Sequence, residues 1–215
     1  MKYEWRKSEK DLYLPKKVEQ RLIPAMNFIT LAGTGDPNDA EFSNKISALY
    51  ATAYSIRMAL KKGSLGTPPF EYTVYPLEGV WTTADGSRNE TLNKAALVYK
   101  IMIRQPDQVT ANLFETCRTQ VIAKKDNPYF PQLQFESYTD GLAVQAVHTG
   151  PFDTEGDTFA KMAAFMTAHQ LEKTTLMGDF QHREIYLSNF RRSRPENLKT
   201  LLRYTVKSVA TTTQN

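Results

Sequence analysis

Apolar side chains recur at alternating steps of four and three through Phe42, Ile46, Leu49, Ala53, Ile56 and Leu60. That spacing puts them on one face of a long amphipathic helix. Asn38 or Asp39 can cap its start, and Gly63 to Pro69 ends it. Two further helices are predicted. One runs from about Thr110 to Lys124, with Leu113, Phe114, Cys117, Val121 and Ile122 inward; the other follows Asp153 or Thr154, with Phe159, Met162, Ala163 and Met166 inward. Two-residue alternation predicts strands at Met26 to Leu31, Phe70 to Tyr75 and Ala95 to Arg104. Leu133 to Tyr138 and Leu142 to Val147 read as a hairpin turning at Asp140-Gly141. In the last strand, Ile185 and Leu187 fall on one face and His182, Glu184 and Tyr186 on the other. A final helix is expected from Pro195, with Leu198, Leu201 and Leu202 inward.

The order strand, Thr-Gly stop, amphipathic helix, strand occurs twice. The first copy passes through Thr34-Gly35 to Tyr75 and the second through Thr149-Gly150 to Tyr186, with the Thr-Gly pairs 115 residues apart and the tyrosines 111. Read as a duplication, this gives an arm at 1–22, a single domain at 23–207 built from repeats at about 23–125 and 131–207, and a frayed tail at 208–215. Each repeat would carry an antiparallel sheet with helices on one face, leaving a cleft between pseudo-symmetric halves. Two fused repeats complete that cleft within one chain, so a monomer is expected.

Composition narrows the class. With 215 residues, 41% apolar and 23% charged, the chain can bury a substantial core. The net charge of +4 is scattered, which argues against nucleic-acid binding. The single cysteine, Cys117, excludes an internal disulfide. The polar first residues lack an apolar leader, and no apolar run is long enough to span a membrane, so a soluble cytoplasmic protein is expected. There is no Gly-rich phosphate loop and no Gly-x-Ser-x-Gly elbow; His148, His169 and His182 lack metal-ligand spacing. Neither a metal nor an organic cofactor is expected.

A strand face that sets a carboxylate between an imidazole and a phenol makes Glu184 the leading candidate for chemistry. The plain alternative is a surface ion pair with the adjacent Arg183. Several segments together resemble the GyrI-like small-molecule-binding family, in particular its stand-alone members. They are Lys10-Asp11-Leu12-Tyr13, Pro76-Leu77-Glu78-Gly79-Val80-Trp81, Met102-Ile103-Arg104-Gln105-Pro106, His148-Thr149-Gly150-Pro151-Phe152-Asp153 and His182-Arg183-Glu184-Ile185-Tyr186-Leu187-Ser188. The resemblance implies an α+β fold of tandem SHS2-type repeats with a ligand cleft between them. It implies a buried glutamate at Glu184 that receives bulky, often cationic aromatic molecules. Only about 20 arm residues precede the first strand, so a transcription factor is not expected. Similar stand-alone members have been assigned hydrolysis of cyclopropane-bearing, DNA-alkylating compounds, which would make this a detoxification enzyme.

Opening a cyclopropane conjugated to a dienone needs a base for water and a donor for the carbonyl oxygen. A carboxylate within aromatic walls loses solvation and becomes a stronger base, which suits Glu184. Tyr75, Tyr186, His148 and His182 are candidate donors, and the repeat favours Tyr75 by placing it opposite Glu184. Trp81, Tyr99, Tyr138 and Met102 are candidate walls for a planar ligand, although Tyr99 and Met102 fall on opposite strand faces. Glu78 is a candidate second carboxylate at the rim. Trp81 can equally be core, and His148 can serve only as a backbone cap. The Arg191-Arg192-Ser193-Arg194 cluster reads as a solvated turn. The leading reading is a cofactor-free hydrolase of aromatic cyclopropanoids; the alternatives are sequestration of hydrophobic cations without turnover, or a protein-interaction role.

Overall fold

The computed structural model describes residues 2–63, 66–88, 91–189 and 192–209. The expected tail beyond Val209 and Arg191 of the arginine cluster lie outside the described residues. The elements in order are α1 (Trp5–Ser8), α2 (Lys10–Tyr13), β1 (Glu19–Thr34), α3 (Ala40–Lys62), β2 (Leu77–Thr83), β3 (Leu97–Gln105), α4 (Ala111–Ile122), β4 (Gln134–Thr149), α5 (Glu155–Ala168), β5 (Leu171–Thr174), β6 (His182–Tyr186) and β7 (Lys199–Ser208).

The fold is α+β. Its strands form one antiparallel sheet in the order β4-β1-β3-β2-β6-β7-β5, and β4 also pairs with β7. That extra pairing closes six strands into a barrel. Within each half the order across the sheet is the same, β1-β3-β2 and β4-β7-β6. The halves join at two seams, β1 with β4 and β2 with β6. The two expected sheets are thus continuous with one another.

The six apolar residues that predicted α3 are all buried. With Leu113, Phe114 and Cys117 of α4 they join one core with Ile29, Leu31, Ile101 and Ile103 of β1 and β3. On α5, Met162 and Met166 join Val144, Ala146, Leu202 and Val206. Each such side chain, fully buried, contributes about 1.5–3 kcal/mol. The opposite strand face points into the barrel, where Arg183 of β6 pairs with both Glu78 of β2 and Asp140 of β4. β2 is the neighbour of β6, and the β4–β7 pairing brings β4 round to the same guanidinium. The arm plugs one end: Glu9 pairs with Arg104, and the Leu12 carbonyl accepts from Arg203.

Three expected elements differ. Residues 199–208 form β7, not a helix, because both faces of the segment find partners. Its edges pair with β4 on one side and with β6 and β5 on the other, while Arg203 points into the barrel and Leu202 and Tyr204 meet α5. The Asp140-Gly141 hairpin is a bend in one continuous strand. Gly141 takes a positive φ of 69°, yet pairing with β1 runs past it, Ile23 opposite Gly141 and Ala25 opposite Thr139. The proline of β1, Pro24, faces this bend, where a missing N–H costs least. Residues 70–75 are extended, but among the described residues their only ladder contact is the Tyr72 bridge to Tyr3.

Candidate functional site

The β2–β6 seam sets Gly79 opposite Glu184 and Trp81 opposite His182. The Glu184 face turns outward, toward α3 on one side and α5 on the other. Its carboxylate is held at both ends: His182 Nε2 lies 2.9 Å from Oε1, and the Tyr186 hydroxyl donates to Oε2 at 2.8 Å. A carboxylate can only accept, so the imidazole presents its N–H there. Three alternate residues of one short strand thereby build a clamp, as the two-residue period requires. The Glu184 side chain is 14% exposed, so it is enclosed but reachable.

Aromatic rings wall the site. Trp81 and Tyr99 stand 5.1 Å apart between centroids, and Phe42 of α3 meets Tyr99 edge-on at 5.1 Å. On the other side Phe152 meets Tyr186 edge-on at 5.9 Å, and Phe159 meets His182 at 5.2 Å. The Trp81 indole N–H is buried and makes no well-aligned hydrogen bond. It is still near enough to the Tyr186 hydroxyl to favour the phenolate slightly. Burial outweighs this and, with Glu184 next, holds the Tyr186 phenol well above its ordinary range. Glu155 opens α5, on the turn that packs Phe152 on Tyr186 and Phe159 on His182. Burial first, and the Glu184 charge second, push its carboxyl up to about 9.

The structure brings together Glu184, His182, Tyr186 and Trp81, whereas Tyr99 touches Trp81 but lays its ring over Gly33 of β1, away from the carboxylate. His148 lies nearby on β4, but its ring nitrogens meet Thr158 at 2.9 Å and the Pro151 carbonyl at 3.1 Å, so it anchors the turn into α5. Four other sequence candidates are elsewhere. Tyr75 does not sit opposite Glu184, because the register gives that position to Gly79. Its hydroxyl donates to Glu9 at 2.6 Å, at the plugged end of the barrel. Glu78 is not at a rim; it lies inside the barrel, 2% exposed, 3.1 Å from Arg183 Nη1. Met102 pairs with Glu78 across β2–β3, and its sulfur meets the same guanidinium. The Tyr138 hydroxyl accepts from Lys100 and donates to Glu136, also on the interior face.

Phe42, Phe152, Phe159 and Glu155 were not singled out in the sequence as site residues. Glu155 sits in an acidic run that reads as a helix start, so nothing local marks it. A shallow hollow of about 490 Å³ opens on the far side of Tyr99, lined by Gly33, Glu41, Lys45 and Tyr129 among others. Glu184 does not line it, so the enclosed carboxylate rather than that hollow defines the site. Among the described residues no group of three or more potential metal ligands gathers, and no helix is long and apolar enough to cross a membrane.

A closed α+β barrel with a clamped carboxylate between aromatic walls is the frame of a small-molecule-binding protein. The chain belongs to the GyrI-like family: the GyrI-like small molecule binding domain matches residues 16–207. Two solved structures from Listeria innocua, each described as a hydrolase, are 33% and 34% identical to it. They superpose with TM-scores of 0.84 and 0.86, covering 95% and 96% of this chain and 100% of theirs. A third Listeria innocua structure, an uncharacterised conserved protein, is 35% identical with a TM-score of 0.87 over 95% of this chain and 100% of its own. Among curated proteins none matches the chain.

Proposed function

We propose that this protein is a cofactor-free hydrolase that adds water to the cyclopropane of aromatic, DNA-alkylating cyclopropanoids, a detoxifying reaction. The observation that carries the reading is the Glu184 carboxylate, clamped by His182 and Tyr186, with Phe152 and Phe159 packed on those two side chains and Trp81 on the paired strand. A fixed carboxylate in a poorly solvated, ring-lined recess suits both halves of the task. Flat walls hold a planar electrophile, and the carboxylate takes a proton from water aimed at its methylene carbon. The Listeria innocua hydrolases, alike over their full length, support a hydrolytic function.

The same geometry favours a second reading, capture of hydrophobic cations without turnover. There the carboxylate offsets the ligand's charge, and each facing ring adds about 0.5–2 kcal/mol of cation–π attraction.

A time course by liquid chromatography and mass spectrometry separates the two. Purified protein is incubated with a spirocyclopropane-dienone compound beside a Glu184→Gln control. A water adduct formed over many turnovers, and reduced about 10²–10⁴-fold in the control, is the expected result. An intact compound in both tubes, with a planar cation bound more weakly by Glu184→Gln, gives the site to sequestration.

A further inference from the structure

The turn into α5 delivers a second carboxyl group to the Glu184 site. Glu155 is 6% exposed, and its Oε1 is buried without a hydrogen-bond partner. Phe152 packs on Tyr186 and Phe159 on His182, so Glu155, one helical turn before Phe159, is brought to the strand that carries Glu184. The charges of Glu184 and Asp153 raise its proton affinity further. The charged groups among these, Glu184 and Asp153, are both acidic. His148 packs on the same turn, but its nitrogens are engaged by Thr158 and Pro151.

Two carboxyl groups in one poorly solvated site cannot both ionise at little cost, so one keeps a proton. Position at a helix start favours a charged Glu155, yet that effect is modest beside burial next to another acid. Glu184 has two hydrogen-bond donors on its oxygens, whereas Glu155 has a bare buried oxygen, so the proton settles on Glu155. A buried carboxyl oxygen with no partner inside the protein lacks a hydrogen bond that a ligand group reaching it would supply.

We propose that Glu155 is the proton donor of this site, giving its carboxyl proton to the carbonyl oxygen of the ligand while Glu184 takes one from water. The step rests on the hydrolytic reading above, and it balances. The water oxygen bonds to the cyclopropane methylene carbon. The carbon–carbon bond from that methylene to the ring breaks, and its electron pair passes through the dienone to the carbonyl oxygen. That oxygen takes the Glu155 proton and becomes a phenol. One water is consumed and no oxidant or reductant is needed. Glu155 is left as a carboxylate and Glu184 as an acid, and return of the proton from Glu184 to Glu155 resets the pair. Tyr186 is a poorer donor, because its hydroxyl already donates to Glu184 and burial holds its proton tightly.

Two measurements on the whole chain test this independently. The first is a carbon-13 NMR titration of protein labelled at its glutamate carboxyls. One glutamate should remain protonated at neutral pH and titrate near 9. Its resonance should be missing in Glu155→Gln and should titrate lower in Glu184→Gln. If every glutamate titrates below about pH 6, the proposal is overturned whatever the protein hydrolyses. The second is the pH profile of kcat/KM on the spirocyclopropane-dienone. The wild type should lose activity as pH rises through about 9. Glu155→Gln should lower kcat by about 10²-fold or more and abolish that alkaline limb. An unchanged kcat and an unchanged limb overturn the donor role. If the wild type does not turn the compound over, the hydrolytic reading fails by itself. The donor role is then read from binding of an unreactive planar dienone lacking the cyclopropane. Its affinity should fall above about pH 9 in the wild type and not in Glu155→Gln; affinity independent of pH overturns it.

Discussion

The indole of Trp81 lies across the α-carbon of Gly79, so a Cβ added there would stand 2.7 Å from the indole Nε1. Gly79 is also the residue paired with Glu184. The missing side chain therefore lets a flat wall come down beside the carboxylate. Gly79→Ala should push the indole off this position at a cost of about 1–3 kcal/mol in stability. Affinity for a planar ligand should fall more than stability alone explains, read by ligand titration well below the melting temperature. Unchanged affinity would remove Trp81 from the wall.

Glu155 gives the protein a pH-dependent weakness. Its folded-state proton affinity is raised, to about 9, above that of the unfolded chain. Below the unfolded value of about 4.5 both states are protonated and the group costs nothing; as pH rises toward 9 the unfolded state alone ionises and stability drains away. Glu155→Gln keeps a group of similar shape without that liability. It should raise Tm at pH 8, where the unfolded carboxyl is ionised and the folded one keeps its proton. The gain should vanish near pH 4. Thermal melts across pH check this, and a gain independent of pH would contradict it.

The barrel interior is sensitive in another way. Arg183, 1% exposed, pairs with Glu78 and with Asp140 at 2.7 Å. Removing it strips Glu78 of its ion pair and leaves Asp140 only Arg203, 3.8 Å away. Arg183→Met should cost about 3–5 kcal/mol in chemical denaturation. Adding Glu78→Met and Asp140→Asn should recover part of the loss, since the penalty comes from unpaired charge.

Tyr75 offers a negative control. Its hydroxyl donates to Glu9, and its ring sits near Trp5, Tyr13 and Tyr72. Tyr75→Phe should lower stability by about 0.5–1.5 kcal/mol while turnover on the cyclopropanoid stays within about twofold of wild type. A large loss of turnover at normal stability would restore Tyr75 as the donor.

Sequence reasoning reached Glu184, His182 and Tyr186 because they share one face of one strand, and the period of two is a local property. Tyr99 follows the same alternation on β3, whereas Trp81 sits in a segment whose proline and glycine read as a bend and which the structure shows to be β2. Sequence reasoning failed at Glu78, Met102 and Tyr138, which alternate just as regularly but point into the barrel. Which face of a strand meets the ligand depends on which face the sheet closes around.

By itself, the chain determined its three long helices, most of its strands, the repeated unit and the small-molecule-binding family, because each is written in spacing or in short contiguous motifs. The tertiary structure decided what needs distance. The β4–β7 pairing turns a sheet into a barrel. The β2–β6 register puts Gly79, and not Tyr75, opposite Glu184. The turn into α5 brings Glu155, 29 positions earlier in the chain, to the strand of Glu184. No local pattern encodes these, since strand partnership and the meeting of two acids are settled only when burial, pairing and charge are satisfied together.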